Sequence, residues 1–215
     1  LDREETFMRN IEIIRKSENK ITTWSGGTTA QLYIYPENAI YAERNFKWRL
    51  SSAKVEACES VFTPLPGISR ILMIIEGKVS LEHQGHHSAI LKAFEKDSFS
   101  GDWTTRCVGK AADFNLMTDK ECSAGMNVFS IDANDSKQVL FEHKENNKGK
   151  FSLIADAFYI IGGEIEIIAN SAEGQVVHDG DLLMVKRKVC EEINRIEFKN
   201  NSGRKINIIR TIIYY

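Results

Sequence analysis

The chain has 215 residues, of which 42% are hydrophobic and 27% charged, and its formal net charge is −2. That length allows one large all-β domain or two smaller ones, and it is enough to bury a sizeable core. The near-neutral charge excludes a general attraction to nucleic acid or to anionic lipid, and no apolar run approaches the ~18 residues of a membrane-spanning helix.

In chain order, the first residues, Leu1-Asp2-Arg3-Glu4-Glu5, are charged and no apolar stretch follows. This predicts no signal peptide and a cytoplasmic protein, with either Met8 or a residue upstream of Leu1 as the natural start. Ile11-Glu12-Ile13 alternates as a strand does. Gly26-Gly27 then marks a turn into a strand at residues 31–35. Alternation returns at Phe46-Lys47-Trp48-Arg49-Leu50 and at Val79-Ser80-Leu81-Glu82, with the apolar run Ile71-Leu72-Met73-Ile74-Ile75 between them. Gly77, Gly85, Gly101 and Gly109 punctuate the next stretch. Residues 134–150 are polar and read as a linker or surface loop, with a short helix expected near residues 138–144. Alternation resumes at Glu164-Ile165-Glu166-Ile167 and at Ile206-Asn207-Ile208. Many short, β-branched segments separated by turn residues predict an all-β sandwich or barrel.

A weak internal repeat suggests two such units. Ile74-Ile75-Glu76-Gly77 is followed by the turn Gly101-Asp102, and Ile160-Ile161-Gly162-Gly163 is followed by the turn Gly180-Asp181. The expected division is residues 1–130 and 131–215, with strands exchanged between the units at their ends. The four cysteines, Cys58, Cys107, Cys122 and Cys190, form no C-x-x-C pair and are expected as free, mostly buried thiols.

The charged residues inside strand segments are the chemical signal. Period-two alternation puts Arg49, Ser51 and Ala53 on one strand face. A guanidinium beside a small hydroxyl, with space left by alanine, suits a carboxylate. Arg70 opens the apolar run, and a buried arginine needs a partner. That partner is either an anionic ligand or one of the chain's own carboxylates, Asp102 or Asp113. Asp113 and Asn115 could orient a bound amide or hydroxyl, although Asn115 could equally hold a turn. Trp24 and Trp48 read as core, Trp103 as the wall of a barrel mouth, and Gly26-Gly27 as a tight crossover rather than an anion cradle.

Four runs resemble the HutD/Ves family of metal-free bicupins. They are Trp24-Ser25-Gly26-Gly27-Thr28-Thr29 with Gln31-Leu32 and Tyr35-Pro36; Phe46 through Ala53; Phe62-Thr63-Pro64-Leu65-Pro66-Gly67-Ile68-Ser69-Arg70; and Phe99-Ser100-Gly101-Asp102-Trp103 followed by Asp113-Phe114-Asn115-Leu116-Met117. The match covers about the first 120 residues, and its Trp-Ser-Gly-Gly-Thr-Thr is closer to the Ves branch. The resemblance implies two stacked cupin-like jelly-roll β-barrels, the second degenerate, and a small-molecule pocket in the first. In a cupin, residues 64–77 would carry two histidines and a glutamate that bind metal. Here Pro64 and Pro66 lie near the histidine positions and Arg70 takes that of the glutamate, so a metal pocket becomes a candidate anion pocket.

The expected ligand is a small anionic metabolite; the resemblance implies an N-formylglutamate-like carboxylate, bound by a regulator or buffer of amino-acid (histidine) utilisation or of a stress response. Arg49 and Arg70 would clamp the acid, and Ser51, Thr28, Asp113 and Asn115 would supply hydrogen bonds, with Trp103 as an aromatic wall. No metal and no cofactor is expected, because His83, His86 and His87 lie past Gly77, on the wrong side of the turn for cupin ligands. No G-x-S-x-G elbow or P-loop is present, so the reading leans away from an enzyme. The alternatives are a metal-independent isomerase or hydrolase of a small acid using Asp113, and a protein-interaction module with a filled barrel. Homodimer pairing through a sheet edge is a further expectation, with residues 206–215 offered as edge or as core.

Overall fold

Short strands dominate the computed structural model, which describes residues 11–141, 150–169, 174–189 and 195–215. The first strand, β1 (Ile11–Ile14), is followed by β2 (Lys20–Trp24), β3 (Gly27–Tyr35), β4 (Trp48–Val55), β5 (Glu59–Val61), β6 (Ser69–His83), β7 (Ser88–Lys92), β8 (Lys96–Ser100), β9 (Thr105–Val108) and β10 (Ala111–Thr118). After these come β11 (Ser123–Ile131), β12 (Ser136–Leu140), β13 (Leu153–Ile161), β14 (Ile165–Ala169), β15 (Gln175–Val177), β16 (Leu182–Lys188), β17 (Arg195–Lys199) and β18 (Ile206–Tyr214). Among the described residues, no helix is long and apolar enough to cross a membrane.

The chain divides into two compact units, one of residues 19–123 and one of residues 1–18 with 124–215. The sequence reading placed a single limit near residue 130. The N-terminal segment belongs with the second unit because Ile11 through Ile14 pair with β16.

In the first unit, β2 to β10 form one curled sheet, ordered β2-β3-β4-β10-β6-β9-β5, with β7 and β8 also paired to β6. The long β6 turns the corner. Its first part pairs with β10 and β8, and its second part with β7 and β9. Gly77 sits at the corner with φ 88°, and a Cβ there would collide with the carbonyl oxygen of Lys110. No L side chain fits that close crossing, so the glycine makes the bend.

The second unit has a five-stranded sheet, β1-β16-β13-β18-β11, and a four-stranded sheet, β12-β17-β14-β15. Its core is apolar and aromatic: Phe141, Phe158, Phe198, Ile167, Leu183 and Ile208 are all buried. The expected helix at residues 138–144 is instead strand where it is described. Val139 is buried between exposed Gln138 and Leu140, and β12 pairs with β17, so the segment has a period of two; its remainder lies outside the described residues. β18 lies between β13 and β11, so it is core and not a free edge.

Candidate functional site

Four neighbouring strands of the first unit bring one face together. Across it, Gln31 pairs with Ser51 and Thr29 with Ala53 from β3 to β4. Met117, Asn115 and Asp113 pair with Arg49, Ser51 and Ala53 from β10 to β4. Met117 and Asn115 also pair with Arg70 and Leu72 on β6. Arg49 and Arg70 therefore flank Met117 in one row. Asp113 shares this face with Asn115 and Met117 by alternation along β10, and the register with β6 shifts between Ala112 and Asp113, leaving Ile75 as the extra residue on β6.

This face lines a cavity of about 260 Å³, a size suited to a small metabolite. Its polar lining includes Arg49, Ser51, Arg70, Asp113 and Asn115, which are only 6%, 3%, 7%, 6% and 5% exposed. Five of the seven residues expected from the sequence are thus together. The other two are elsewhere. Thr28 pairs with Lys54 and does not line the cavity, whereas its neighbour Thr29 does. Trp103 stacks on His86 with ring centroids 3.8 Å apart, away from this face.

Among the described residues, no carboxylate forms an ion pair with either arginine. Arg49 Nε donates to Gln31 Oε1 at 3.0 Å and its Nη1 donates to Ser51 Oγ at 3.0 Å, while its guanidinium lies 4.3 Å from the centre of the Tyr41 ring. Arg70 is held between aromatic rings, 4.7 Å from the centre of Phe62 and 5.1 Å from that of Phe99. Its buried Nε has no hydrogen-bond partner, and neither does Oδ1 of Asn115. Among the described residues neither arginine forms an ion pair. Asp102, one of the two internal candidates, instead accepts from the backbone N–H of Gly67 and from Ser100 Oγ in a turn.

The electrostatics follow from burial. Loss of solvation pushes Arg70 down to about 10, against the opposing pull of Tyr41 and Asp113, and Arg49 nearby adds a like charge. Arg49 is also shifted down by burial. Burial pushes the Asp113 carboxyl up to about 7, although the Arg70 charge and the Ala53 backbone N–H draw it down. At neutral pH the face thus carries two cations and a carboxyl near its midpoint. An unpaired buried donor on Arg70 and an unpaired acceptor on Asn115 complete it. Such a set can take a carboxylate with a hydrogen-bond donor attached.

Sequence reasoning missed several contributors. Gln31 lay in a quoted motif, but its pairing with Ser51 leaves no trace in the local sequence. Tyr41 and Phe62 sit outside the strands that carry the arginines. Trp24, expected as core, is 37% exposed and lines the cavity, whereas Trp48 is fully buried between Tyr33 and Tyr35. Gly26 turns its carbonyl to the N–H groups of Glu56 and Ala57, as a crossover does and an anion cradle does not.

The second unit treats the same residue types differently. Asp156 is fully buried and accepts from Arg210 at 2.6 and 3.0 Å and from Arg187 at 3.3 Å. There Arg187 and Arg210 meet an internal carboxylate, whereas among the described residues Arg49 and Arg70 form no ion pair.

Comparison with known proteins places this frame. The HutD family model matches residues 16–202. The chain belongs to the HutD family. A conserved protein of unknown function from Pseudomonas aeruginosa PAO1 superposes with a TM-score of 0.74 at 18% identity, covering 94% of this chain and 98% of that one. HutD from Pseudomonas fluorescens SBW25, in a formate condition, gives a TM-score of 0.65 at 19% identity, covering 94% and 97%. The Escherichia coli pirin YhhW in complex with nickel(II) gives 0.60 at 9% identity, covering 93% and 98%. These likenesses establish a cupin fold for this HutD-family chain. A search of curated proteins finds no match.

Proposed function

We propose that the cavity of the first unit binds a small carboxylate metabolite and that the protein acts in the cytoplasm as its sensor or buffer. The observation that carries this reading is the pair of buried arginines on one cavity face that form no ion pair among the described residues. A buried cation without a counter-ion is unfavourable, and a bound anion relieves it. The unpaired Asn115 oxygen adds a place for a donor such as an amide N–H. An N-formylglutamate-like acid offers both features, which fits a role in amino-acid utilisation of the kind HutD membership suggests. The open cavity speaks against a barrel filled by its own side chains.

A thermal-shift screen of small mono- and dicarboxylates, N-formylglutamate included, tests the reading. A ligand that binds only the folded state raises Tm by mass action. Wild type should respond to at least one acid and Arg70→Ala should not. An unresponsive wild type would remove the basis of the proposal.

Asp113 supports a second reading. A cavity carboxyl poised near pH 7 is suited to proton transfer, so the same site could isomerise or hydrolyse a small acid. Incubation of each thermal-shift hit with the protein, followed by mass spectrometry, separates the two. Turnover lost in Asp113→Asn favours the enzyme, and an unchanged acid favours the sensor.

A further inference from the structure

A second group of side chains in the same unit lies outside the cavity lining. His83 ends β6, Gly85 turns the chain back, and His87 follows it. The turn is fixed by the His83 N–H donating to the His87 carbonyl and by the His86 N–H donating to that of His83, both at 2.9 Å. β8 supplies Asp97 and β9 supplies Thr105. Nε2 of His83 and Nε2 of His87 lie 3.0 and 2.9 Å from the same oxygen, Oδ2 of Asp97. The other Asp97 oxygen accepts the Ser98 N–H at 2.8 Å, which fixes the carboxylate plane. Nδ1 of His83 is 2.8 Å from the Thr105 hydroxyl.

We propose that His83, His87 and Asp97 form a binding site for a first-row divalent metal ion, of the Zn²⁺ or Co²⁺ type. The ligand atoms all lie within 4.8 Å of one another. Two imidazole nitrogens and one carboxylate oxygen are a borderline donor set, which favours such ions over Mg²⁺ or Ca²⁺. The His83 side chain is completely buried, Asp97 is 15% exposed and His87 is 41% exposed. Protein ligands would thus occupy one side of the ion and solvent the other, leaving an open position. Thr105 plays the part expected beside a ligating histidine. Its hydroxyl can take the Nδ1–H of His83, which fixes the tautomer that leaves Nε2 free for the metal.

Without metal, each Nε2–H donates to Asp97 and the Thr105 hydroxyl donates to Nδ1 of His83. In the metal-bound form each Nε2 holds the ion and carries no proton, and the Nδ1–H of His83 faces the Thr105 hydroxyl. Trp103 borders the site, with its ring centre 5.7 Å from that of His83 and 5.8 Å from that of His87. Its fluorescence should therefore sense the ion.

Titration of the tag-free, chelator-treated protein with Co²⁺, followed by visible absorption and tryptophan fluorescence, tests the site. One Co²⁺ per chain is expected, with partial quenching, no thiolate charge-transfer band and displacement by Zn²⁺. Because exposed Cys58 is a competing ligand, Cys58→Ser should bind as wild type does. His87→Ala, at an exposed position, should weaken binding by at least about tenfold, and Asp97→Asn should do the same. Absence of saturable one-to-one binding, its survival within about twofold in both variants, or its loss in Cys58→Ser would overturn the proposal. These readouts do not involve a carboxylate, so they stand or fall separately from the function of the cavity.

Discussion

On the proposed reading, Arg70 destabilises the ligand-free protein and a bound acid offsets that cost. Its guanidinium is buried, and Phe62 and Phe99 offset its desolvation only in part. Arg70→Met keeps most of the volume and removes the charge. Chemical denaturation of the ligand-free protein should find this variant as stable as wild type or more stable, by up to ~4 kcal/mol. A clear loss of stability would mean that Arg70 serves the fold. Asp113 gives a second residue-level test. Its carboxyl is raised in the folded state, so between the ordinary carboxylate range and about pH 7 the folded chain binds more protons than the unfolded one. The stability that Asp113 contributes at low pH is therefore lost as pH rises through about 7. Thermal melts across pH 4–8 should show Asp113→Asn gaining on wild type toward the alkaline end. A pH-independent difference would contradict the assigned burial of the charge.

At the scale of elements, β6 does most of the work. It carries Arg70 in one half and His83 at its end, and Gly77 turns one half away from the other. Gly77→Ala should destabilise the protein by ~2 kcal/mol or more, as seen in denaturant unfolding, because it adds both a left-handed φ and a collision with the Lys110 carbonyl. Strand alternation made much of the cavity face legible in the sequence. Arg49, Ser51 and Ala53 share a face because their strand has a period of two, and the same period groups Asp113 with Asn115. It failed at Thr28, because a threonine pair beside the Gly26-Gly27 turn gives no hint of which member faces in. Pairing decides this: Thr29, opposite Ala53, faces the cavity. The expected helix at residues 138–144 failed for a similar reason, since polar residues on an exposed strand face carry no mark of the partner strand β17. Trp103 was placed near a pocket, but local sequence could not tell that its ring would stack on His86. Trp24 was misread because size suggested core, whereas it sits at the end of a hairpin.

At the scale of the whole molecule, two units share a fold but not a charge balance. All-β architecture was legible from strand alternation and turn spacing, whereas the reading of two units rested on a weak repeat and the family resemblance. That residues 11–14 pair into the second unit was not, because long-range pairing leaves no local trace. In the second unit Asp156→Ala would take this carboxylate from the buried Arg187 and the part-buried Arg210, at a cost of about 3–5 kcal/mol in denaturant melts. In the first unit, on the proposed reading, a bound acid balances the charge of Arg70. Isothermal titration of wild type and Arg70→Met with the acid that best stabilises the wild type is the most direct measurement of that claim. Saturable one-to-one binding should appear in the wild type and weaken in Arg70→Met by about tenfold to a hundredfold, as expected for a lost charge-assisted contact of about 1.5–3 kcal/mol. Equal affinity in the two proteins would contradict the account.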